Sequence, residues 1–263
     1  MRTKLIAGNW KMNLTTKEAA AVVEAFLRLV DAKTNVDVVI CPPYVSLGRV
    51  RDLVRNTHLK IGAQDVFWEE AGAFTGKVSP TMLVDVGVSF CIVGHSETRG
   101  RFGQPCVPPI ALPYFSESDA TINLKIKALL YHAINPILCV GETADERAQG
   151  RTDAVIASQL AAGLEGIDAT ELYFSVIAYE PVWAIGTGNT CDATEADRVC
   201  GSIRSYLAEM YDDDLAREIR ILYGGSVRST NSDELFRQPN IDGALVGGAS
   251  LDPHEFSMIV MSA

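Results

Sequence analysis

The chain has 263 residues, 48% of them hydrophobic, and its 33 acidic against 23 basic side chains leave a formal charge of −10 at pH 7. That composition excludes disordered, collagen-like and low-complexity classes, and the acidic balance speaks against DNA, RNA or an anionic membrane as partners. The charge is also lopsided: residues 1–140 carry 15 basic and 12 acidic side chains, residues 141–263 carry 8 and 21, and the last lysine is Lys127.

Short β-branched runs predict strands over 4–9, 36–41, 59–64, 90–93, 136–140, 173–179, 219–223 and 243–246. They are continuous apolar stretches, as strands buried on both faces are. Amphipathic segments between them predict helices. Thr15 and Glu18 form a capping-box pattern ahead of Val22, Val23, Phe26, Leu27 and Val30. Thr194 with Asp197 predicts a second start, ahead of Val199, Ile203, Leu207 and Met210. Asp233 to Phe236 closes near Pro239, and Pro253 suits the first turn of a last helix. The uncharged stretch from Ala128 to Gly141 holds His132, Asn135 and Pro136 and falls short of the ~20 residues of a membrane span. The N-terminal apolar run is too short for a signal-peptide core. Six cysteines show no CxxC or zinc spacing, and Cys41, Cys91 and Cys139 sit in apolar runs where reduced, buried thiols are expected. These features predict a soluble, cytoplasmic protein.

Eight strand candidates alternating with helices fit an open doubly wound sheet or a closed (β/α)8 barrel. GxGxxG is absent after the first strand, where Gly8-Asn9-Trp10-Lys11-Met12-Asn13 stands instead. No linker or composition break divides the chain. The expected fold is therefore α/β, a closed parallel barrel forming a single domain over residues 1–263.

Chemistry in such a barrel sits at the carboxyl ends of the strands. Those positions hold Asn9 and Lys11, Gly94-His95-Ser96-Glu97, Glu180, Gly224-Gly225-Ser226 and Gly247-Gly248. Glu180 follows an apolar strand and precedes Pro181, so burial is expected to raise its proton affinity toward that of a general base; a structural ion pair is the alternative. His95 is open to acid, base, ligand or core roles, but the four histidines form no HxH or HExxH pair. GHSET only half-matches GxSxG, which removes the hydrolase reading. Lys11 is a Schiff-base lysine or an electrostatic anchor; with no lysine after Lys127, a Schiff-base aldolase using strand six or later is excluded. The glycine pairs after strands seven and eight free backbone N–H groups for a phosphate, and Ala184-Ile185-Gly186-Thr187-Gly188 reads as a hinged lid.

Taken together, Asn9-Trp10-Lys11-Met12-Asn13, Gly94-His95-Ser96-Glu97, Tyr179-Glu180-Pro181-Val182-Trp183-Ala184-Ile185-Gly186-Thr187-Gly188, Tyr223-Gly224-Gly225-Ser226-Val227 and Gly243 to Leu251 resemble the triosephosphate isomerase family in order and spacing. The resemblance implies the TIM barrel, activity in glycolysis and gluconeogenesis, and neither metal nor organic cofactor. It implies that Glu180 moves a proton between adjacent carbons of dihydroxyacetone phosphate and D-glyceraldehyde 3-phosphate. A neutral His95 would polarise the carbonyl, Lys11 would supply positive charge, and Asn9 would hydrogen-bond the substrate. Gly186, Ser226, Gly247 and Gly248 would offer N–H groups to the phosphate, with Glu97 supporting Lys11. A homodimer is implied, with the loop from Gln64 to Ser79 carrying Thr75 toward the partner's site.

The chain departs from the family pattern in four places. Thr98 stands where arginine is usual, Lys77 where glutamate is, and Asn189 where lysine is. A segment from Gly103 to Pro113, with four prolines, is additional; an extended surface loop is expected, packing Val107, Ile110 and Leu112 on its own barrel in preference to the alternative, a partner. Two other readings compete: another phosphate-binding barrel enzyme, such as an aldolase or sugar isomerase, and a barrel that binds without turnover.

Overall fold

Eight parallel strands close on themselves in chain order: β1 (Leu5–Asn9), β2 (Asp37–Cys41), β3 (Lys60–Ala63), β4 (Phe90–Val93), β5 (Asn135–Val140), β6 (Val176–Tyr179), β7 (Arg220–Tyr223) and β8 (Gly243–Val246). The structure is a computed structural model and describes residues 2–30, 35–104 and 107–263. β1 pairs with β2 on one side and β8 on the other, Leu5 lying between Asp37 and Gly243, and this closes the barrel.

The continuous apolar runs have a direct cause. Alternate side chains enter two separate cores. Leu5, Ala7, Val39, Cys41, Ile137, Cys139, Val176, Ala178 and Leu245 fill the barrel interior. Ile6, Val38, Ile40, Leu138, Ile177, Ala244 and Val246 pack outward against the helices. Neither face meets water, so neither needs polar residues.

Helix starts follow local chemistry. Thr15 and Glu18 make the expected reciprocal capping box for the helix Thr16–Leu27. Pro253 occupies the first turn of Pro253–Met261. The helix Ala193–Met210 starts earlier than Thr194: Asp192 caps it by accepting from the Glu195 N–H at 2.8 Å, while Asp197 accepts from the Asn240 N–H. The sixth strand starts at Val176, not Tyr173, because residues Ala169–Leu172 form a helical turn that leaves Tyr173 and Phe174 exposed.

The additional segment also differs from expectation. Pro109–Phe115 is a 3-10 helix, entered from Pro108 in extended backbone and started by Pro109, whose ring pre-sets a helical φ. Ile110 and Leu112 point to solvent, 91% and 42% exposed. The inward contact is made instead by Phe115, whose ring meets Phe102 edge-on at 5.5 Å. Cys106, which sequence placed in this loop, lies outside the described residues. The other five cysteines are unpaired and buried; Cys191 lies in the irregular chain just ahead of the helix Ala193–Met210.

Candidate active site

The two-residue repeat of the strands carries on into the barrel mouth. Leu5 and Ala7 point inward, and Asn9 is next in that series; Val176 and Ala178 point inward, and Glu180 is next in theirs. Each apolar strand thus delivers one polar side chain to the carboxyl end of the barrel. Gly141, following β5, allows the close approach that seats Glu180: a Cβ there would lie 1.7 Å from the Glu180 carbonyl oxygen.

A cavity of about 630 Å³ opens at this end and brings together Asn9, Lys11, His95, Glu180, Gly186, Ser226, Gly247 and Gly248. Glu97 does not line it but grips Lys11, its Oε1 lying 2.6 Å from Nζ. Thr75 is on the exposed tip of its loop, between Phe74 and Gly76, away from this chain's own cavity. Lys77 is exposed on the same loop.

Glu180 and His95 are both buried, and Glu180 Oε1 lies 2.8 Å from His95 Nε2. The Ser96 N–H donates to the other carboxylate oxygen at 2.8 Å. Burial alone would raise the Glu180 pKa, but His95 and the Ser96 N–H outweigh it and hold the carboxyl below its ordinary value. This reverses the expectation from sequence that burial raises its proton affinity. Burial works against a charged His95, yet the Glu180 carboxylate outweighs it and raises the imidazole pKa, with a smaller contribution from Glu97. The Glu97 N–H donates to His95 Nδ1 at 3.2 Å. An Nδ1 that accepts carries no proton, so the neutral form of His95 is the Nε2–H tautomer, which donates to the Glu180 carboxylate.

Lys11 has a φ of 52°, left-handed backbone that a side-chain-bearing residue adopts at a cost. Its peptide groups are tied on both sides: its N–H donates to Asn9 Oδ1 at 3.0 Å, and its carbonyl accepts from Gln64 Nε2 at 2.8 Å. The loop after β3 therefore helps place a lysine that belongs to the loop after β1.

The segment after Glu180 begins with a 3-10 turn, Val182–Ala184. Trp183 donates its indole N–H to Glu142 Oε1 at 2.8 Å, and the Tyr179 hydroxyl donates to the same oxygen at 3.2 Å. Arg147 lies over the Trp183 ring, 4.2 Å from its centre. Glu142 is fully buried, and burial raises its pKa despite these donors. Beyond the turn, Gly186 and Gly188 take φ values of 70° and 82°, and the segment from Gly186 to Thr190 is mostly exposed. The Thr187 hydroxyl donates to the Trp183 carbonyl and accepts from the Asn189 N–H, so the Thr187 side chain holds Asn189 by its backbone.

Sequence reasoning missed Glu142, although it stands at the carboxyl end of β5, the kind of position that gave the other candidates. It also missed the Ser96 N–H as a donor, and Arg228, which lines the cavity beside Ser226. Thr98, where a supporting charge was expected to be lost, bonds both the His95 carbonyl and Glu117, and Glu117 in turn pairs with Lys125. A neutral hydroxyl and a distant lysine thus anchor the turn behind His95.

The family model described as triosephosphate isomerase matches residues 4–263. The chain is 45% identical over 262 residues to a triosephosphate isomerase of Dictyoglomus thermophilum, covering 100% of both chains. It is 47% identical over 260 residues to one of Roseiflexus sp. (strain RS-1), covering 99% of this chain and 97% of that one. A third, of Thermoanaerobacter pseudethanolicus, is 44% identical over 261 residues, with 99% of each covered.

Proposed function

The chain belongs to the triosephosphate isomerase family, and from that premise we propose how its residues divide the work. It is an isomerase that interconverts dihydroxyacetone phosphate and D-glyceraldehyde 3-phosphate, a step of glycolysis and gluconeogenesis. Glu180 is the base. Its carboxylate takes a proton from the carbon beside the carbonyl, leaving an enediolate, and returns it to the adjacent carbon. Both its oxygens already hold donors, His95 Nε2 and the Ser96 N–H, so substrate must draw the carboxylate away from them. Stripped of those donors in a buried site, it becomes the stronger base.

His95 donates its Nε2–H to the oxygen on which negative charge develops, a role that needs the neutral tautomer supported by the Glu97 N–H. Lys11 supplies positive charge to the same anion and to the phosphate, Glu97 holds Lys11, and Asn9 hydrogen-bonds the substrate. Backbone N–H groups of Gly186, Ser226, Gly247 and Gly248 take the phosphate. The segment 181–189 closes over the bound substrate and excludes water. The observation that carries this reading is the convergence of Glu180, His95 and Lys11 on one cavity rimmed by the glycine turns.

A coupled assay on the wild type and Glu180→Gln tests it. Wild-type turnover with a loss of ~10²–10⁴-fold in the variant is expected. Equal rates would remove Glu180 as the base, and no wild-type turnover would favour a binding protein.

Residues 1–263 act as one barrel domain, and two copies pair as a homodimer through the loop 64–79, with Thr75 reaching the partner's site. Supporting this are the exposed loop tip and the exposed Phe74 beside it. Sedimentation at assay concentration decides it: a fully active monomer would refute the pairing. The five unpaired thiols suit the reducing cytoplasm, and among the described residues no helix is long and apolar enough to cross a membrane.

A further inference from the structure

Two glycines at the lid are glycine for opposite reasons. Gly186 has left-handed backbone, yet a Cβ built on it would meet nothing within 4 Å. Gly103 is not left-handed, but a Cβ on it would lie 2.3 Å from the Ile185 carbonyl oxygen, 2.5 Å from that of Val182 and 3.1 Å from the Thr187 methyl. Gly103 belongs to the additional segment, and only the lid accounts for its lack of a side chain.

The root of that segment is held firmly. The Arg101 N–H donates to the Ser96 carbonyl at 2.8 Å, and the Arg101 side chain forms an ion pair with Glu146. Gly100 leaves no room for a Cβ against the Phe115 carbonyl, 2.3 Å away, so the two ends of the segment are closed on each other there. Ser96, to which the root is tied, is also the donor to Glu180. Lid, base and additional segment therefore meet on one turn.

We propose that residues 100–104 brace the lid in the position it takes while Glu180 is held by His95 and Ser96, and that Gly103 is a positioning residue for the isomerisation. This rests on reading 181–189 as the lid over Glu180. Closure carries the Gly186 N–H toward the phosphate and lifts the Ile185 carbonyl off Gly103. The contact thus exists in the resting position and is lost in the closed one. Any change that crowds or loosens the seat shifts the lid toward closure, because it acts on one of the two states only.

The probe is inorganic phosphate, whose binding by the lid requires no proton transfer. Titration calorimetry of Gly103→Ala should show phosphate bound at least about five-fold more tightly than by the wild type, the scale expected of a methyl forced into a filled contact. KM for dihydroxyacetone phosphate and kcat should fall together, because the lid reopens more slowly. Unchanged or weaker phosphate binding overturns the proposal. Arg101→Ala, which unties the brace from Glu146, should shift phosphate affinity in the same direction. The double variant should bind no more tightly than Gly103→Ala, since both changes act on one seat. Additive effects overturn it. Failure of Glu180 as the base would show in turnover alone and leave the phosphate affinities as they are.

Discussion

Replacing Lys11 by methionine isolates the charge at the centre of the proposed site. The ammonium is 2.6 Å from Glu97, and its stem passes 3.6 Å from where a Cβ on Gly247 would lie, between the base and the phosphate turn. A unit charge about 5 Å from the substrate anion, at an effective dielectric of about 20, contributes roughly 3 kcal/mol. The side chain is 27% exposed, and screening by water brings this nearer to about 2 kcal/mol. The substitution also leaves Glu97 without its partner, adding repulsion toward the same anion. Together these give a loss of about 10²-fold in kcat/KM in the coupled assay. Stability should barely change, since a half-exposed ion pair contributes about 0–1 kcal/mol and shifts Tm by no more than about 4 °C. Lys11→Met with Glu97→Gln should recover part of the activity by removing the unpartnered carboxylate. A loss below ten-fold in the folded single variant would refute the electrostatic role.

Two further outcomes follow from the same geometry. Gly141→Ala places a methyl 1.7 Å from the Glu180 carbonyl oxygen, so the variant should lose about 1–3 kcal/mol in urea unfolding, and wild-type stability would refute that packing. The Glu180 carboxyl is held below its ordinary value, so its ionised form contributes stability above about pH 4.3 that is lost as pH falls through the lower native value. Glu180→Gln has no such contribution to lose. The stability difference between wild type and variant in urea melts should therefore shrink from pH 6 to pH 3.5, and a constant difference would contradict the His95 and Ser96 contacts.

The barrel was legible because its strands are buried on both faces, so every run such as Phe90 to Val93 stands out as apolar without interruption. Asn9 and Glu180 were legible as polar residues ending such runs. What could not be read was which partner each would choose. Burial of Glu180 was foreseeable from its strand, whereas the Ser96 N–H that offsets it comes from a turn after a different strand. Glu142 escaped notice because its partners, Tyr179 and Trp183, are brought to it only by the pairing of β5 with β6. Ile110 and Leu112 looked like packing residues, but the turn that Pro109 starts points them to solvent, and two ends closed around Gly100 and Phe115 leave them no barrel surface to cover. The start of the helix Ala193–Met210 was misplaced for a smaller reason: Asp192 and Thr194 both have capping chemistry, and only the entry angle of the chain chooses between them.

The central claim is that Glu180 moves a proton through an enediolate, and a proton resting on a carboxyl exchanges with solvent. Turnover of dihydroxyacetone phosphate in heavy water, followed by proton NMR, tests this most directly. The wild type should place deuterium on the carbon that receives the proton in D-glyceraldehyde 3-phosphate, and Glu180→Gln should incorporate it at least about 10²-fold more slowly. Product formed by the wild type with no deuterium, or equal incorporation by both proteins, would contradict it.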